Sequence, residues 1–166
     1  TAVVNCAMIR VPNVKFDDLD WEMIQNHFNI NIKGSYNVVK HVVPLMEKNK
    51  QGQIITITAQ AIDAHPTIYS LPYITGKSAL NGFSKALANE LATKGIRVNM
   101  VSPGMTDTDL IADIPQKVRL STAAKTPLRR IAKPKDIANS ISFLVSEKAD
   151  YMTGETIRVN GGQIML

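Results

Sequence analysis

Two rhythms of apolar positions alternate along the chain. Residues 1–6 (TAVVNC), 53–58 (QIITIT), 97–101 (RVNMV) and 155–159 (ETIRV) are short, β-branched and apolar, the pattern of strands buried on both faces. Between them the spacing switches to three and four. Trp21, Ile24, Phe28, Ile32, Tyr36, Val39, Val42, Val43 and Met46 form one apolar face over residues 21–47, which predicts a long helix. Asp17, Asp18 and Asp20 open it with acidic and capping residues, and Pro44 is expected to bend it or weaken its end. Leu80, Phe83, Leu87 and Leu91 predict a second helix, opened by Pro72 and closed near Gly95. Ile137, Ile141, Leu144 and Val145 predict a third behind Pro134. Residues 105–133 lack a rhythm apart from a short helix expected at 116–124.

The order β-α-β-α-β-loop-α-β predicts an α/β fold: a parallel sheet with helices on its faces and right-handed crossovers, in one domain spanning residues 1–166. Ligands of such sheets sit beyond the carboxyl ends of the strands. Asn5, Thr58 and Pro103-Gly104 fall at those ends, and Tyr73 opens the helix after the second strand. Tyr73 and Lys77 are one helical turn apart. The pair reads either as an ordinary surface pair or as an acid–base pair in which the ammonium lowers the phenol's pKa.

Composition narrows the options. Of 166 residues 45% are hydrophobic and 20% charged, with a net charge of +5, which suits a globular domain. The basic residues are scattered, and the cluster from Arg129 to Lys135 has no aromatic residue among it, so nucleic-acid binding is not expected. No apolar run is long enough to span a bilayer, and no signal-peptide pattern opens the chain. Cys6 is the single cysteine and reads as a small buried residue; a reducing, cytoplasmic setting is the expectation. His27, His41 and His65 are not spaced as metal ligands. His65, in the loop before Tyr73, reads as a pocket-lining or an exposed residue.

The motifs together resemble the short-chain dehydrogenase/reductase family, in particular its 3-oxoacyl-carrier-protein-reductase-like branch. Val4-Asn5-Cys6-Ala7-Met8 is similar to the V-N-N-A-G strand end, and Asn29-Ile30-Asn31 to the N-x-N helix segment. Tyr73 through Lys77 matches Y-x-x-x-K. Arg97 through Gly104 matches R-V-N-x-[IV]-x-P-G, with Thr108 on the downstream Thr. Tyr151 through Gly162 matches the Y-[IV]-T-G-x-x-[ILV]-x-V-[DN]-G-G ending. The resemblance implies an oxidoreductase that uses NAD or NADP and interconverts a carbonyl and a secondary alcohol. It implies Tyr73 as proton donor or acceptor, and Lys77 as the group that lowers its pKa and holds the nicotinamide ribose. Asn31 would hold a water of the proton relay, and Asn5 would lie near the adenosine. Pro103, Gly104, Met105, Thr106 and Thr108 would border the nicotinamide and phosphates, and residues 105–133 would form a mobile substrate lid. A homodimer or homotetramer is implied, with helices 21–47 and 73–94 in one interface and the last helix and strand in the other.

Two departures stand out. The family's Gly-rich turn and cofactor-selecting residue do not occur in these 166 residues; Gly161-Gly162 follows the last strand and leads into no helix. The chain therefore reads as a partial doubly wound sheet from its fourth strand onward: foremost part of a longer protein, alternatively one whose front half comes from another chain, or a reduced, silent relative. The second departure is the catalytic serine. Strand alignment puts Ala59 in its place, and counting back from Tyr73 puts Gln60 there. Thr58, ahead of Ser70, is expected to supply the missing hydroxyl, with the Gln60 amide as a further candidate donor. Without one, a donor worth about 10²–10³ in rate is lost.

Overall fold

The computed structural model describes residues 1–64 and 66–165; His65 therefore lies outside the described residues. Four parallel strands, β1 (Ala2–Asn5), β2 (Gly52–Ile57), β3 (Ile96–Pro103) and β4 (Thr156–Val159), lie side by side in chain order. Each strand is within two residues of its sequence expectation. Successive side chains of β2 point to opposite faces, which puts Ile54 and Ile55 in different cores. Ile54, Ile96 and Val98 pack with Val39, Met46, Ala88 and Leu91 on one face. Ile55 and Val101 pack with Ile137, Leu144 and Ala149 on the other. Burial on both faces is why β2 and β3 read as unbroken apolar runs, whereas β1 and β4, expected to be buried alike, lie at the sheet edges with Val4 and Arg158 exposed.

The helix expected over residues 21–47 is three pieces. α1 (Trp21–Phe28) is capped by Asp20, whose carboxylate accepts the Met23 N–H at 3.0 Å. A π-helical turn follows (Asn29–Gly34), then α2 (Ser35–Lys48). The irregularity has a local cause. Asn31 Nδ2 donates to the His27 carbonyl at 2.9 Å, and Ser35 Oγ donates to the Asn31 carbonyl. These side chains take carbonyls that the regular ladder would use, and such competition loosens a helix. Pro44 does not stop α2: the fully buried Met46 anchors the last turn over Gly52.

α3 (Leu71–Leu91) carries Tyr73 and Lys77 and extends by one tighter turn to Gly95, which takes the left-handed conformation at φ 73°. Residues 105–133 contain α4 (Gln116–Lys125), and α5 (Pro134–Val145) covers the second core. Two motif residues prove to be fasteners. Arg97 donates to the carbonyls of Leu144 (3.1 Å), Ser146 and Met152 (3.3 Å each). Asn99 donates to Met152 O at 2.8 Å and accepts the Glu155 N–H at 3.0 Å, fixing the turn into β4. No helix among the described residues is long and apolar enough to cross a membrane.

Candidate active site

The carboxyl ends of β1, β2 and β3 meet the N-terminal half of α3, so the sheet presents one face of that helix to one place. Lys77 is buried there at 3% exposure, and its ammonium donates to the Ile57 carbonyl at 2.7 Å. An ammonium has three N–H groups, so two remain for other acceptors. Burial pulls its pKa down to about 8, with Cys6 opposing weakly. Tyr73 lies one turn earlier, and burial pushes its phenol up to about 12. This reverses the expected direction. Proximity to Lys77 alone predicts a lowered phenol, but the desolvation of the phenolate outweighs it.

Asn31 sits in the π turn, 1% exposed, with its Oδ1 unpartnered. The turn can approach α3 because position 76 is glycine. A Cβ there would stand 3.1 Å from Asn31 Nδ2 and 3.2 Å from His27 Cβ. Asn5, at the end of β1, donates to Ser35 Oγ and accepts the Ala7 N–H at 3.2 Å. It ties β1 to the start of α2 and so to Asn31. At the end of β3, Gly104 N–H donates to Val159 O at 3.0 Å, and Thr106 Oγ1 donates to the Gly104 carbonyl at 3.0 Å. The Thr108 hydroxyl makes a long 3.5 Å contact with Thr106 O. Asn5, Asn31, Tyr73, Lys77 and the turn Pro103–Thr106 thus line the same strand-end region.

The Thr58 hydroxyl, expected to stand in for the serine, is committed in this structure. Its Oγ1 donates to the Val101 carbonyl at 3.1 Å and is buried between β2 and β3. Ser70 is likewise engaged, donating to Thr67 O at 2.5 Å. Gln60 reaches across to Gln163 (2.5 Å) and keeps a second N–H, while its Oε1 lies against Gly104. His27 belongs to no motif and has no metal-ligand spacing, yet it is 1% exposed and meets the Tyr73 ring edge-on, with centroids 6.4 Å apart. Its one signal in the sequence is its place four residues before Asn31, on the same helical face. No cluster of metal-ligating residues occurs among the described residues.

A parallel sheet with helices on both faces, its strand ends meeting a half-buried Tyr73 and a buried Lys77, defines a Rossmann-like α/β fold. The chain belongs to the short-chain dehydrogenase/reductase family: the family described as Enoyl-(Acyl carrier protein) reductase matches residues 1–163. It is 35% identical over 156 residues to the 3-oxoacyl-[acyl-carrier-protein] reductase of Thermotoga maritima, covering 92% of this chain and 60% of that protein. It is 36% identical over 166 residues to the Escherichia coli reductase of the same name, covering 99% and 66%. The crystal structure of a 3-oxoacyl-[acyl-carrier protein] reductase from Brucella melitensis superposes with a TM-score of 0.92 at 29% identity, over 99% of this chain and 63% of that one. The chain therefore spans about six tenths of the length of the curated relatives it matches.

Proposed function

We propose that this chain carries the proton-transferring part of an oxidoreductase that uses NAD or NADP to interconvert a carbonyl and a secondary alcohol. The observation that carries the reading is the buried Lys77 ammonium beside Tyr73 at convergent strand ends. The two spare N–H groups of Lys77 fit the hydroxyls of a ribose, with Asn5, Pro103, Gly104, Thr106 and Thr108 at the rim. A nicotinamide, when bound, supplies or takes the hydride. Tyr73 then gives a proton from its phenol to the carbonyl oxygen in reduction, or takes one from the alcohol in oxidation. A phenol held neutral by burial stands ready as the acid. Lys77, near 8, reloads it, and Asn31 offers its free Oδ1 to the relay.

The relatives' names point to a 3-oxoacyl thioester as the substrate class to try first. A homodimer or homotetramer belongs to the same reading, because Trp21 of α1 and Tyr36, Val38 and Leu45 of α2 are exposed. A second reading, a catalytically silent relative, is favoured by one observation: the hydroxyls of Thr58 and Ser70 are both committed elsewhere.

The test is NADH or NADPH oxidation by the full-length protein with a 3-oxoacyl thioester. Tyr73→Phe is expected to lower turnover by about 10²–10⁴-fold. Unchanged turnover, or a full-length protein that binds neither cofactor, sinks the enzyme reading. Reduction is expected to weaken as pH rises past about 8, where Lys77 loses its proton, and oxidation to gain toward about 12, where Tyr73 ionises.

A further inference from the structure

We propose that His27 is a positioning residue for Tyr73: its buried, uncharged imidazole holds the phenol ring against α3, and protonation of the imidazole disables the site on the acid side. The inference deepens the oxidoreductase reading and rests on it for its kinetic consequence. His27 lies in the last turn of α1 and meets the Tyr73 ring at an interplanar angle of 78° and a centroid distance of 6.4 Å. That is a favourable edge-to-face range for aromatic rings. The backbone of His27 is fixed in place. Its carbonyl is held by Asn31 Nδ2, and its Cβ lies over Gly76, the position between Tyr73 and Lys77 that a Cβ would crowd.

Packing alone does not account for a histidine here. Both ring nitrogens are buried, and the only polar group that acts on them is the Arg10 backbone, too poorly placed for a well-formed hydrogen bond. A phenylalanine would fill similar space without desolvating a donor and an acceptor. What the imidazole adds is a proton site. The groups that face it are Tyr73 and Lys77 from α3, Asn31 from the π turn and the Arg10 backbone from the segment after β1. The Arg10 guanidinium itself pairs with Asp113. Cys6, at the exit of β1, is exposed rather than buried as its apolar run suggests, and it acts on Lys77 rather than on the ring. Burial and the Lys77 charge hold His27 below its ordinary 6.5, and the Arg10 backbone opposes them less strongly. A proton on His27 would put a second cation in the junction that buries Lys77. The charged ring must then reach water, and the contact that seats Tyr73 is lost.

The experiment is the pH profile of kcat/KM in the full-length protein, wild type against His27→Phe. Phenylalanine keeps an aromatic edge on Tyr73 and removes the titration. At about pH 8 the variant is expected within about threefold of wild type, while the wild-type fall of about tenfold per pH unit below the His27 midpoint flattens. A variant that keeps the wild-type acid limb overturns the proposal. Should that variant fail to fold, an NMR titration of the wild type decides: the His27 and Tyr73 ring signals, assigned with Tyr73→Phe, are expected to move together with a midpoint below 6.5. Tyr73 signals that stay fixed while His27 titrates overturn it. This second readout does not use turnover. Coupled titration in a protein without Tyr73-dependent turnover sinks the oxidoreductase reading and keeps the contact. Uncoupled titration in an active enzyme sinks the role of His27 alone.

Discussion

The strand ends are walled on two sides by regions built on opposite plans. The junction of α1, the π turn and α3 is closed by side chains: His27 and Asn31 at 1% exposure, Lys77 at 3%, and Gly76 in van der Waals contact across the helix crossing. Residues 105–133 are clasped by backbone hydrogen bonds at their two ends, with mostly exposed side-chain pairs such as Arg10–Asp113 between. Asp107 N–H donates to Ala132 O and Ala132 N–H to Met105 O, each at 2.9 Å, while Val118, Leu120 and Leu128 are exposed. A cavity of about 240 Å³ with a mixed lining, Met105, Leu128 and Ile131 beside Thr126, Arg130 and Asp136, lies behind that segment. The first plan tolerates little change, because every atom has a neighbour. The second tolerates much, because backbone bonds do not depend on side-chain identity. Fixed chemistry and adjustable selectivity suit these two plans respectively.

The largest expected effect comes from removing the charge at the centre of the dense side. Lys77→Met in the full-length protein should lower turnover by about 10²–10⁴-fold while making the fold more stable. The folded chain holds Lys77 near 8 against an ordinary 10.5. The unfavourable burial of the ammonium is therefore complete below about pH 8 and fades as pH rises toward 10.5. Denaturant unfolding at neutral pH should show a gain of about 1–3 kcal/mol, shrinking in alkaline buffer. A loss of stability at neutral pH would mean that the Ile57 hydrogen bond outweighs the desolvation.

Next is a gain of function. Ala59→Ser, and separately Gln60→Ser, restores a hydroxyl at either of the two positions the sequence offers for it. One of them should raise turnover by about 10–10²-fold. No increase in either would mean that the second N–H of Gln60 already serves, or that the site is silent; Gln60→Ala kinetics separates the two.

Gly76→Ala sharpens the contrast further. Alanine favours the helix by about 1 kcal/mol, and the new Cβ crowds His27 and Asn31 by a comparable cost, so the unfolding free energy should move by less than about 1 kcal/mol. Turnover should nevertheless fall about tenfold, because a small displacement of positioned groups is costly in rate. Equal turnover would show that the crossing has slack. The smallest effect is expected on the other side: Leu120→Ala should leave stability within about 0.5 kcal/mol and alter KM rather than kcat.

The sequence and the structure agree where the information is local. QIITIT and RVNMV are strands because double burial selects β-branched residues, and Pro72 and Gly95 bound α3 where their backbone chemistry puts them. Disagreements lie where partners come from far along the chain. Thr58 reads as a free hydroxyl until Val101 O, 43 positions on, accepts its hydrogen bond. Tyr73 reads as a lowered phenol until the packing of α1 removes its water. The π turn is invisible to apolar periodicity, because it is set by two side-chain bonds, from Asn31 and Ser35, that a hydropathy pattern does not record.

The pairing of Thr106 with Ala132 has a consequence for how this scaffold can change. Both ends of the intervening segment are clasped side by side, so its length is decoupled from the frame. Closing a loop costs only about 0.6 kcal/mol more for each doubling of its length. Segments of other sizes could be exchanged between the two clasps with the sheet and the α1–α3 junction undisturbed, making this stretch a replaceable cassette for redesign and for natural divergence alike.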